Sequence, residues 1–285
     1  MHIRTMQAAD LDFAARCTLG EGWVSETRQE FESFFAYDPS GCFIAEQDGQ
    51  PLGIAVATCY GRYAFIGELI VSVAWRGRGL GSQLFAHAVA YLQQHGAENI
   101  LLDGVLAAVP IYERAGFRGV CLSLRFSGSL PGAAHPHVRP MHASDLAAVC
   151  ALDRQAFAAD RSFFLQRRLE HNPGLCLVYE QGGVVAGFVQ GRRSDSPSGP
   201  GVTAGPWVVS ERVENPLDLL EGLQACAPGA LLRLGVLETN IQAVALLERS
   251  GFTARADSPL HMLLGSDAAL GQSPQCCAIG SSAKG

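Results

Sequence analysis

The sequence predicts a mixed α/β (α+β) fold that occurs twice in tandem, each copy built on a central mixed β-sheet flanked by helices. Three observations support this prediction. The 285 residues exceed the usual size of one domain. A composition of 48% hydrophobic and 17% charged residues is typical of a folded globular chain. Segments of the first half also recur in the second half at a nearly constant spacing, which indicates two copies of one fold.

The repeat is visible in three segment pairs that keep the same order along the chain. Their offsets are 134 or 135 residues: "IRTMQAADL" (3–11) with "VRPMHASDL" (138–146), "FIAEQDGQPLG" (43–53) with "LVYEQGGVVAG" (177–187), and "IYERAGF" (111–117) with "LLERSGF" (246–252). The stretch "SGSLPGAAHPH" between the copies is rich in Gly, Pro and Ser, as linkers are. We therefore predict domains at 1–130 and 138–285, joined by a linker at 131–137.

Local patterns predict the elements of the first copy in order. Asp10 can cap a helix over roughly 11–19, and the phenylalanines of 31–35 give an apolar face to a second helix at 25–37. Two β-rich runs on either side of Asp48-Gly49 predict a hairpin. The remaining elements are predicted as strand, helix, strand, helix and strand, at 64–73, 80–95, 100–103, 108–115 and 119–126.

Charge and composition exclude several partners. The net charge of −6 leaves no basic surface for a nucleic acid. No run of about 18 apolar residues occurs and the start carries no secretion signal, so we expect a cytoplasmic protein without membrane attachment. Nine cysteines without a C-x-x-C pair are expected to be reduced and structural, and no metal site is predicted.

The loop "RGRGLG" (76–81) lies between a predicted strand and a predicted helix. A Walker A loop is excluded because no Gly-Lys-Ser or Gly-Lys-Thr occurs. A dinucleotide fingerprint fits poorly because Ser82 stands at its third glycine position. The interpretation that remains is a set of backbone N–H groups, freed to converge by Gly77, Gly79 and Gly81, at a helix N-terminus whose dipole favours a pyrophosphate.

Two motifs connect this loop to a known family. Arg76, Gly79 and Gly81 match the acetyl-CoA loop pattern [Q/R]-x-x-G-x-[G/A], and "YERAGF" (112–117) matches the pattern Y-E-x-x-G-F. The sequence thus resembles the GCN5-related N-acetyltransferase (GNAT) superfamily, and in finer detail the tandem acetyltransferases of the YitH type. The resemblance covers 1–126 well and the second copy more loosely. It implies acetyl-CoA as cofactor and transfer of an acetyl group to a primary amine of a small molecule or peptide.

Acetyl transfer to an amine needs a proton acceptor, a stabilised oxyanion and a proton for the leaving thiolate. The resemblance implies that Tyr112 is the general acid near the CoA sulfur. Glu68 is the only acid on the strand that enters the loop, and a carboxylate among apolar residues should have a raised pKa suited to a base. Asp103 is the second candidate. As structural alternatives, Tyr112 is a core tyrosine, and Glu68 faces solvent or pairs with an arginine.

Nine residues are predicted to bind acetyl-CoA. Val71 and Val73 are implied by the resemblance to present backbone groups to the pantetheine arm. The others form the loop and the first helical turn: Arg76, Gly77, Arg78, Gly79, Leu80, Gly81 and Ser82. The backbone donors carry more of this prediction than the two guanidinium groups, which either contact the phosphates or stand in water. Trp23, between the first two helices, either shapes the acceptor pocket or staples those helices together.

The second copy lacks both chemical signatures. The counterpart of the glycine loop is "ERVENP" (211–216), in which two acids and a proline replace the glycines, and Tyr112 corresponds to Leu247. Carboxylates would repel a pyrophosphate, and Pro216 removes a backbone donor. We therefore predict a single site, in the N-terminal domain. Two other functions stay open: a non-catalytic acyl-CoA-binding or sensor protein, and a transferase of a different acyl group.

Overall fold

The structure is a computed structural model that describes residues 2–285. The first part of the chain alternates helices and strands in the predicted order. Its elements are β1 (His2–Thr5), α1 (Leu11–Gly20), α2 (Arg28–Tyr37), β2 (Cys42–Gln47), β3 (Gln50–Tyr60), β4 (Tyr63–Val71), α3 (Leu80–Gln94), β5 (Asn99–Gly104), α4 (Val109–Arg114) and β6 (Arg118–Gly128). The mixed α/β class is therefore confirmed.

The second part of the chain repeats this order. Its elements are β7 (Val138–Pro140), α5 (Leu146–Phe157), α6 (Ser162–His171), β8 (Cys176–Gln181), β9 (Val184–Arg193), β10 (Gly201–Val209), α7 (Leu217–Cys226), β11 (Leu231–Leu237), α8 (Ile241–Arg249), β12 (Thr253–Ala254), β13 (Leu260–Leu264) and β14 (Cys276–Ala278).

Two details of the first copy differ from the predictions. Strand β1 was not predicted, because four residues are too few to show a period; it is held by antiparallel pairing with β2. The strand predicted to reach Val73 ends at Val71, since Val73–Trp75 form a 3-10 turn. Val73 is 76% exposed in this turn.

The chain forms two compact units that are not contiguous in sequence. The first comprises residues 2–120, 261–268 and 282–284, and the second comprises 121–260, 269–281 and Gly285. In the first unit the strand order is β1-β2-β3-β4-β5-β13. In the second it is β6-β11-β10-β9-β8-β7, with β12 on β6 and β14 on β10. The contiguous domains at 1–130 and 138–285 stay a prediction about sequence duplication.

One strand of each sequence copy lies in the unit of the other copy. From Cys121 onward, β6 belongs to the second unit, where it pairs antiparallel with β11. In the first unit, residues 261–264 of β13 lie next to β5. Strand pairing depends on which buried face a segment matches and not on its distance along the chain, so the exchange leaves no local sign in the sequence.

A cluster of one arginine between two carboxylates shows the duplication at atomic detail. It occurs once in each unit: Arg4, Asp10 and Glu46 in the first, and Arg139, Asp145 and Glu180 in the second. The contact between the arginine and the aspartate is 2.6 Å in the first unit and 2.7 Å in the second. The hydrogen bond from the arginine lowers the pKa of Asp10 and of Asp145. Equivalent positions therefore keep equivalent interactions.

Replacing Arg139 by glutamine is expected to lower the free energy of unfolding at pH 7 by about 1–2 kcal/mol, because Asp145 and Glu180 lose a charged donor that is about one-third exposed. The folded pKa of Asp145 lies below its unfolded value, so this contribution is present above about pH 4 and is lost as the pH falls through the folded pKa. Urea unfolding at pH 7 and pH 3 should show the difference from wild type shrinking in acid.

The matched control is Arg154→Gln. Arg154 contacts Asp160 at 2.9 Å, but both side chains are more than half exposed. Loss of that pair should change the free energy of unfolding by less than about 0.5 kcal/mol. Equal losses in the two variants would contradict a specific role for the Arg139 cluster.

Candidate functional site

The loop between β4 and α3 turns through two glycines in the left-handed region. Gly77 has φ +74° and Gly79 has φ +80°. A Cβ atom at Gly77 would meet nothing within 4 Å, and one at Gly79 would meet only the Gln83 side chain, at 4.0 Å. The backbone conformation therefore requires these glycines, and crowding does not. The same facts mean that open space lies beside the loop.

The start of α3 offers backbone donors to that space. Gly79 is the N-cap residue and has no side chain to accept from the first helical N–H groups, and the first turn carries no acid. Those N–H groups have no acceptor within the helix, and the helix dipole adds positive potential at this end. A Cβ on Gly81 would lie 3.7 Å from Val71 Cγ2, so the end of β4 borders the first turn of α3. This arrangement suits an anionic group such as a pyrophosphate.

The two loop arginines have partners within the protein. Arg76 Nε donates to the Val71 carbonyl at 2.8 Å, and its guanidinium also contacts the Glu21 carboxylate. The Arg78 guanidinium lies 4.9 Å from the centroid of the Trp75 ring. These contacts shape the loop. The first backbone N–H groups of α3, by contrast, have no side-chain cap.

Strands β4 and β5 are neighbours only over their first part. Parallel pairing joins residues 63–65 to residues 99–101. In the part of the chain that the structure describes, β4 then continues to Val71 and β5 to Gly104 without pairing to each other. We call this divergence the first split. Within this divergence, Ala283 of the same unit lies directly against Gly67 of β4.

Glu68 lies on the β4 side of the first split. Val56 pairs with Gly67 and Ile54 with Ile70, so two residues of β4, Glu68 and Leu69, oppose one of β3 and form a bulge. Glu68 has φ +52°, a conformation that costs about 1 kcal/mol or more in a non-glycine residue and is concentrated at functional sites. Its side chain is only 4% exposed. The alternative of a solvent-facing Glu68 is therefore wrong.

Tyr112 lies where α4, α3 and β5 meet. Its ring centroid is 4.9 Å from that of Phe85 on α3, and a Cβ on Gly104 of β5 would lie 2.7 Å from Tyr112 Cε2. The residue is 7% exposed. Burial raises the pKa of Tyr112 to about 12, so the phenol keeps its proton at neutral pH. Tyr112 is thus a protonated hydroxyl beside the end of β5.

Asp103, the second candidate base, has a partner that no sequence pattern indicated. Its Oδ1 lies 2.7 Å from His261 Nδ1, and both side chains are almost fully buried. The two residues are 158 positions apart, so neither motif spacing nor periodicity connects them. Trp23 is half-buried in the turn between α1 and α2, where its backbone N–H donates to the Thr18 carbonyl at 2.9 Å.

The second unit has a corresponding split, and a strand fills it. Parallel pairing of β10 with β11 covers only residues 201–203 and 231–233. Beyond it β14 pairs antiparallel with β10, with Trp207 opposite Ala278 and Val208 opposite Cys276. The Ile279 N–H donates to the Gly235 carbonyl of β11 at 2.9 Å. In the second unit, a strand of the chain therefore occupies the divergence between the two parallel strands.

The start of α7 is also less suited to bind an anion than the start of α3. Asn215 Oδ1 accepts from the Leu217 N–H at 3.3 Å, and Asn215 Nδ2 donates to Asp218 Oδ1 at 2.6 Å. Asp218 places an acid in the first turn. Leu247, the counterpart of Tyr112, is fully buried and has no proton to give. This helix N-terminus offers fewer donors and carries negative charge.

Residues 2–285 show neither a metal-binding cluster nor a membrane-spanning helix. No group of three or more His, Cys, Asp or Glu side chains in this range is arranged to hold a metal ion. Over the same range, every helix is too short or too polar to cross a membrane. The nine cysteines are all free thiols.

Both halves of the chain match sequence models of one family. Residues 8–117 match the acetyltransferase (GNAT) family, and residues 149–275 match an acetyltransferase (GNAT) domain. Together the two matches span well over half of the chain. An uncharacterized N-acetyltransferase of Methanocaldococcus jannaschii is 31% identical over 100 residues, which is 32% of this chain and 44% of that protein. The match thus spans less than half the length of the curated relative.

Solved structures share the fold. A putative acetyltransferase from Pyrococcus horikoshii superposes with a TM-score of 0.81 at 21% identity, covering 100% of this chain and 95% of that one. A tandem GNAT protein from the clavulanic acid biosynthesis pathway superposes with a TM-score of 0.63 at 15% identity, covering 93% of this chain and 99% of that one. At these identities the likeness concerns the fold alone. It agrees with the predicted tandem layout, while the finer YitH-type assignment stays a prediction.

Acetyl-CoA is the cofactor of this family, and the residues present fit it. The glycine loop has open space beside two left-handed glycines, and the N-terminus of α3 points uncapped donors toward that space. The family match supports the expectation of an acetyltransferase that uses acetyl-CoA. The chain belongs to the acetyltransferase (GNAT) superfamily and carries two of its domains in tandem.

Proposed function

We propose that this protein is an acetyl-CoA-dependent N-acetyltransferase with one active site, in the N-terminal domain, that transfers acetyl directly to a primary amine of a small molecule or peptide. The observation that carries the proposal is the asymmetry between the two splits. The first has an uncapped helix N-terminus that follows a glycine loop, and its strands β4 and β5 pair with each other only over residues 63–65 and 99–101, whereas β14 occupies the second. An amine-bearing acceptor is what the family implies.

The binding role falls to backbone groups. The N–H groups of residues 78–82 would hold the pyrophosphate, with Gly77, Gly79 and Gly81 allowing the chain to approach it closely. Backbone groups of Val71 and Val73 would flank the pantetheine arm at the end of β4. Arg76 and Arg78 brace the loop through Val71 and Trp75. When bound, acetyl-CoA supplies the thioester whose carbonyl carbon the amine attacks.

Two side chains would move protons. Glu68 is placed by the bulge on the β4 side of the first split, where its carboxylate would accept a proton from the acceptor nitrogen. Tyr112 keeps its proton because burial raises its pKa to about 12, and its hydroxyl would donate that proton to the departing sulfur. Both groups are buried. The low local dielectric there would strengthen the hydrogen bonds that they make with the substrates.

Isothermal titration of the full chain with acetyl-CoA is expected to give about one site per chain, because the second split is filled and α7 begins with an acid. Acetyl-CoA consumption should then depend on an added amine, which is measured over a panel of small amines and basic peptides. Two equal sites, or none, would contradict the proposal.

The panel also separates the other functions. Binding of one acetyl-CoA without consumption on any amine would indicate an acyl-CoA sensor. Faster turnover with succinyl-CoA or a longer acyl-CoA would indicate a different acyl group.

Glu68→Gln is expected to lower kcat about 100-fold while the Kd of acetyl-CoA changes less than twofold. The reason is that the carboxylate is proposed to accept a proton from the amine and not to bind acetyl-CoA.

A further inference from the structure

A buried aspartate–histidine pair completes the sheet of the first unit. Asp103 of β5 and His261 of β13 have side chains 4% and 5% exposed, with Oδ1 and Nδ1 2.7 Å apart. A carboxylate can only accept, so Nδ1 carries the hydrogen and Nε2 carries the lone pair. Within residues 2–285, Nε2 is buried and has no hydrogen-bond partner. An orphaned buried nitrogen is costly and calls for a ligand or a role.

The register of the sheet places this pair on the β5 side of the first split. Leu101 pairs with Phe65 in the last parallel pair, and Asp103 lies two residues beyond it. Residues two apart share a face of the sheet, so Asp103 faces the same side as Leu101 and Phe65. Gly104 faces the other side, where the Tyr112 ring covers it. The proton donor and the Asp103–His261 pair therefore lie on opposite faces of the diverging strand.

The proton balance of the proposed reaction leaves room for a second acceptor beside Glu68. An acceptor ammonium carries three protons on nitrogen and the amide product carries one, so two must leave. Tyr112 gives one proton to the sulfur and must regain one, which leaves one net proton for solvent. Glu68 can hold one of the two protons taken from nitrogen. A neutral imidazole held by a carboxylate is well suited to hold the other.

We propose that His261, oriented by Asp103, takes the first proton of the acceptor ammonium at Nε2, and that Glu68 takes the second from the attacking nitrogen. In the first step an N–H bond of the ammonium breaks and an Nε2–H bond forms. The imidazolium is stabilised by Asp103 and later returns its proton to water. This inference rests on the proposed N-acetyltransferase function and adds a residue supplied by the far end of the chain.

The test compares acceptor amines that differ in the pKa of their ammonium form, and therefore in how much they depend on removal of the first proton. Ethylamine, 2-fluoroethylamine, 2,2-difluoroethylamine and 2,2,2-trifluoroethylamine are assayed at one neutral pH. Ethylamine is almost fully protonated, like a lysine side chain with its pKa of about 10.4, and each fluorine lowers the ammonium pKa. His261→Gln is expected to lower kcat/KM about 100-fold with ethylamine and less than fivefold with trifluoroethylamine. Glu68→Gln should lower it by a similar factor with all four amines.

The structural role of the pair is separated by binding. The His261 variant should bind one acetyl-CoA with a Kd within twofold of wild type. Asp103→Asn, a second variant of nearly unchanged shape, should show the same trend with a loss of about tenfold for ethylamine. His87→Gln, on an exposed part of α3, is the control and should match wild type throughout.

Each outcome decides a different claim. A loss that is equal across the four amines in both the His261 and Asp103 variants overturns the role of His261 and leaves the proposed function intact. Wild-type protein that binds one acetyl-CoA but acetylates none of the four amines overturns the amine acceptor and this inference together. If His261→Gln fails to fold, the rates of Asp103→Asn with the four amines alone decide between the two results.

Discussion

Replacement of Tyr112 by phenylalanine is expected to lower kcat by about 10³-fold while the KM for acetyl-CoA changes less than twofold. The ring would keep its contacts with Phe85 and over Gly104, because only the hydroxyl is removed. What is lost is a proton that burial keeps in place, since the pKa of Tyr112 is about 12. General acid catalysis is worth about 10²–10⁴ in rate, and the thiolate would leave without it. Steady-state kinetics with a saturating amine measures the change.

The matched control is Tyr91→Phe. Tyr91 lies on α3 in the same unit, and its hydroxyl donates to Asp38 Oδ2 at 2.6 Å. Its loss should lower the free energy of unfolding by about 1–2 kcal/mol and leave kcat within twofold. A Tyr112→Phe enzyme with the wild-type rate would remove Tyr112 from the mechanism. A weaker affinity for acetyl-CoA with unchanged kcat would make it a binding residue.

Replacement of Gly79 by valine is expected to raise the Kd of acetyl-CoA about 300-fold. At φ +80° a β-branched residue is strained, so the loop shifts, and the added methyl groups enter the open space beside the helix N-terminus. Losing two charge-assisted hydrogen bonds at about 1.5–2 kcal/mol each accounts for that factor. Isothermal titration measures the Kd directly.

Gly96→Val is the control for strain. Gly96 follows the other end of α3, has φ +85°, and would place its Cβ within 4 Å of nothing. The two variants should therefore lose similar free energy of unfolding, about 1–2 kcal/mol, while only Gly79→Val loses acetyl-CoA. If both variants bind as wild type does, the pyrophosphate does not lie on this loop.

Local sequence patterns predicted much of the first unit. The hairpin at Asp48-Gly49, the helix that starts after Gly79 and the helix that carries Tyr112 all depend on a few adjacent residues, whose turn chemistry and periodicity are legible in the sequence. The repeat was equally legible, and the paired clusters around Arg4 and Arg139 confirm it. The loss of the glycines and of Tyr112 in the second copy is recognised by aligning the two copies with each other.

The environments of the candidate residues could not be predicted from the sequence to the same extent. Glu68 could have faced solvent or an arginine, because a strand with apolar residues on both sides of a carboxylate does not show where a bulge will lie. The burial of Glu68 excludes the solvent-facing alternative, and the bulge opposite Ala55 depends on the register with β3, which the residues of β4 alone do not show. Asp103 was left at a strand end with no partner because His261 is 158 residues away.

By itself, the sequence determined the two-copy plan, the glycine loop of the first copy and the loss of that loop in the second, since each is visible in short segments and in their comparison along the chain. Only the tertiary structure decided that β13 completes the first sheet, that β14 fills the second split and that His261 joins Asp103. The physical reason is that strand edges and buried polar atoms are satisfied by whichever segment matches them in space. That choice depends on contacts between segments that lie far apart in the sequence, and it leaves no periodic signal in the chain.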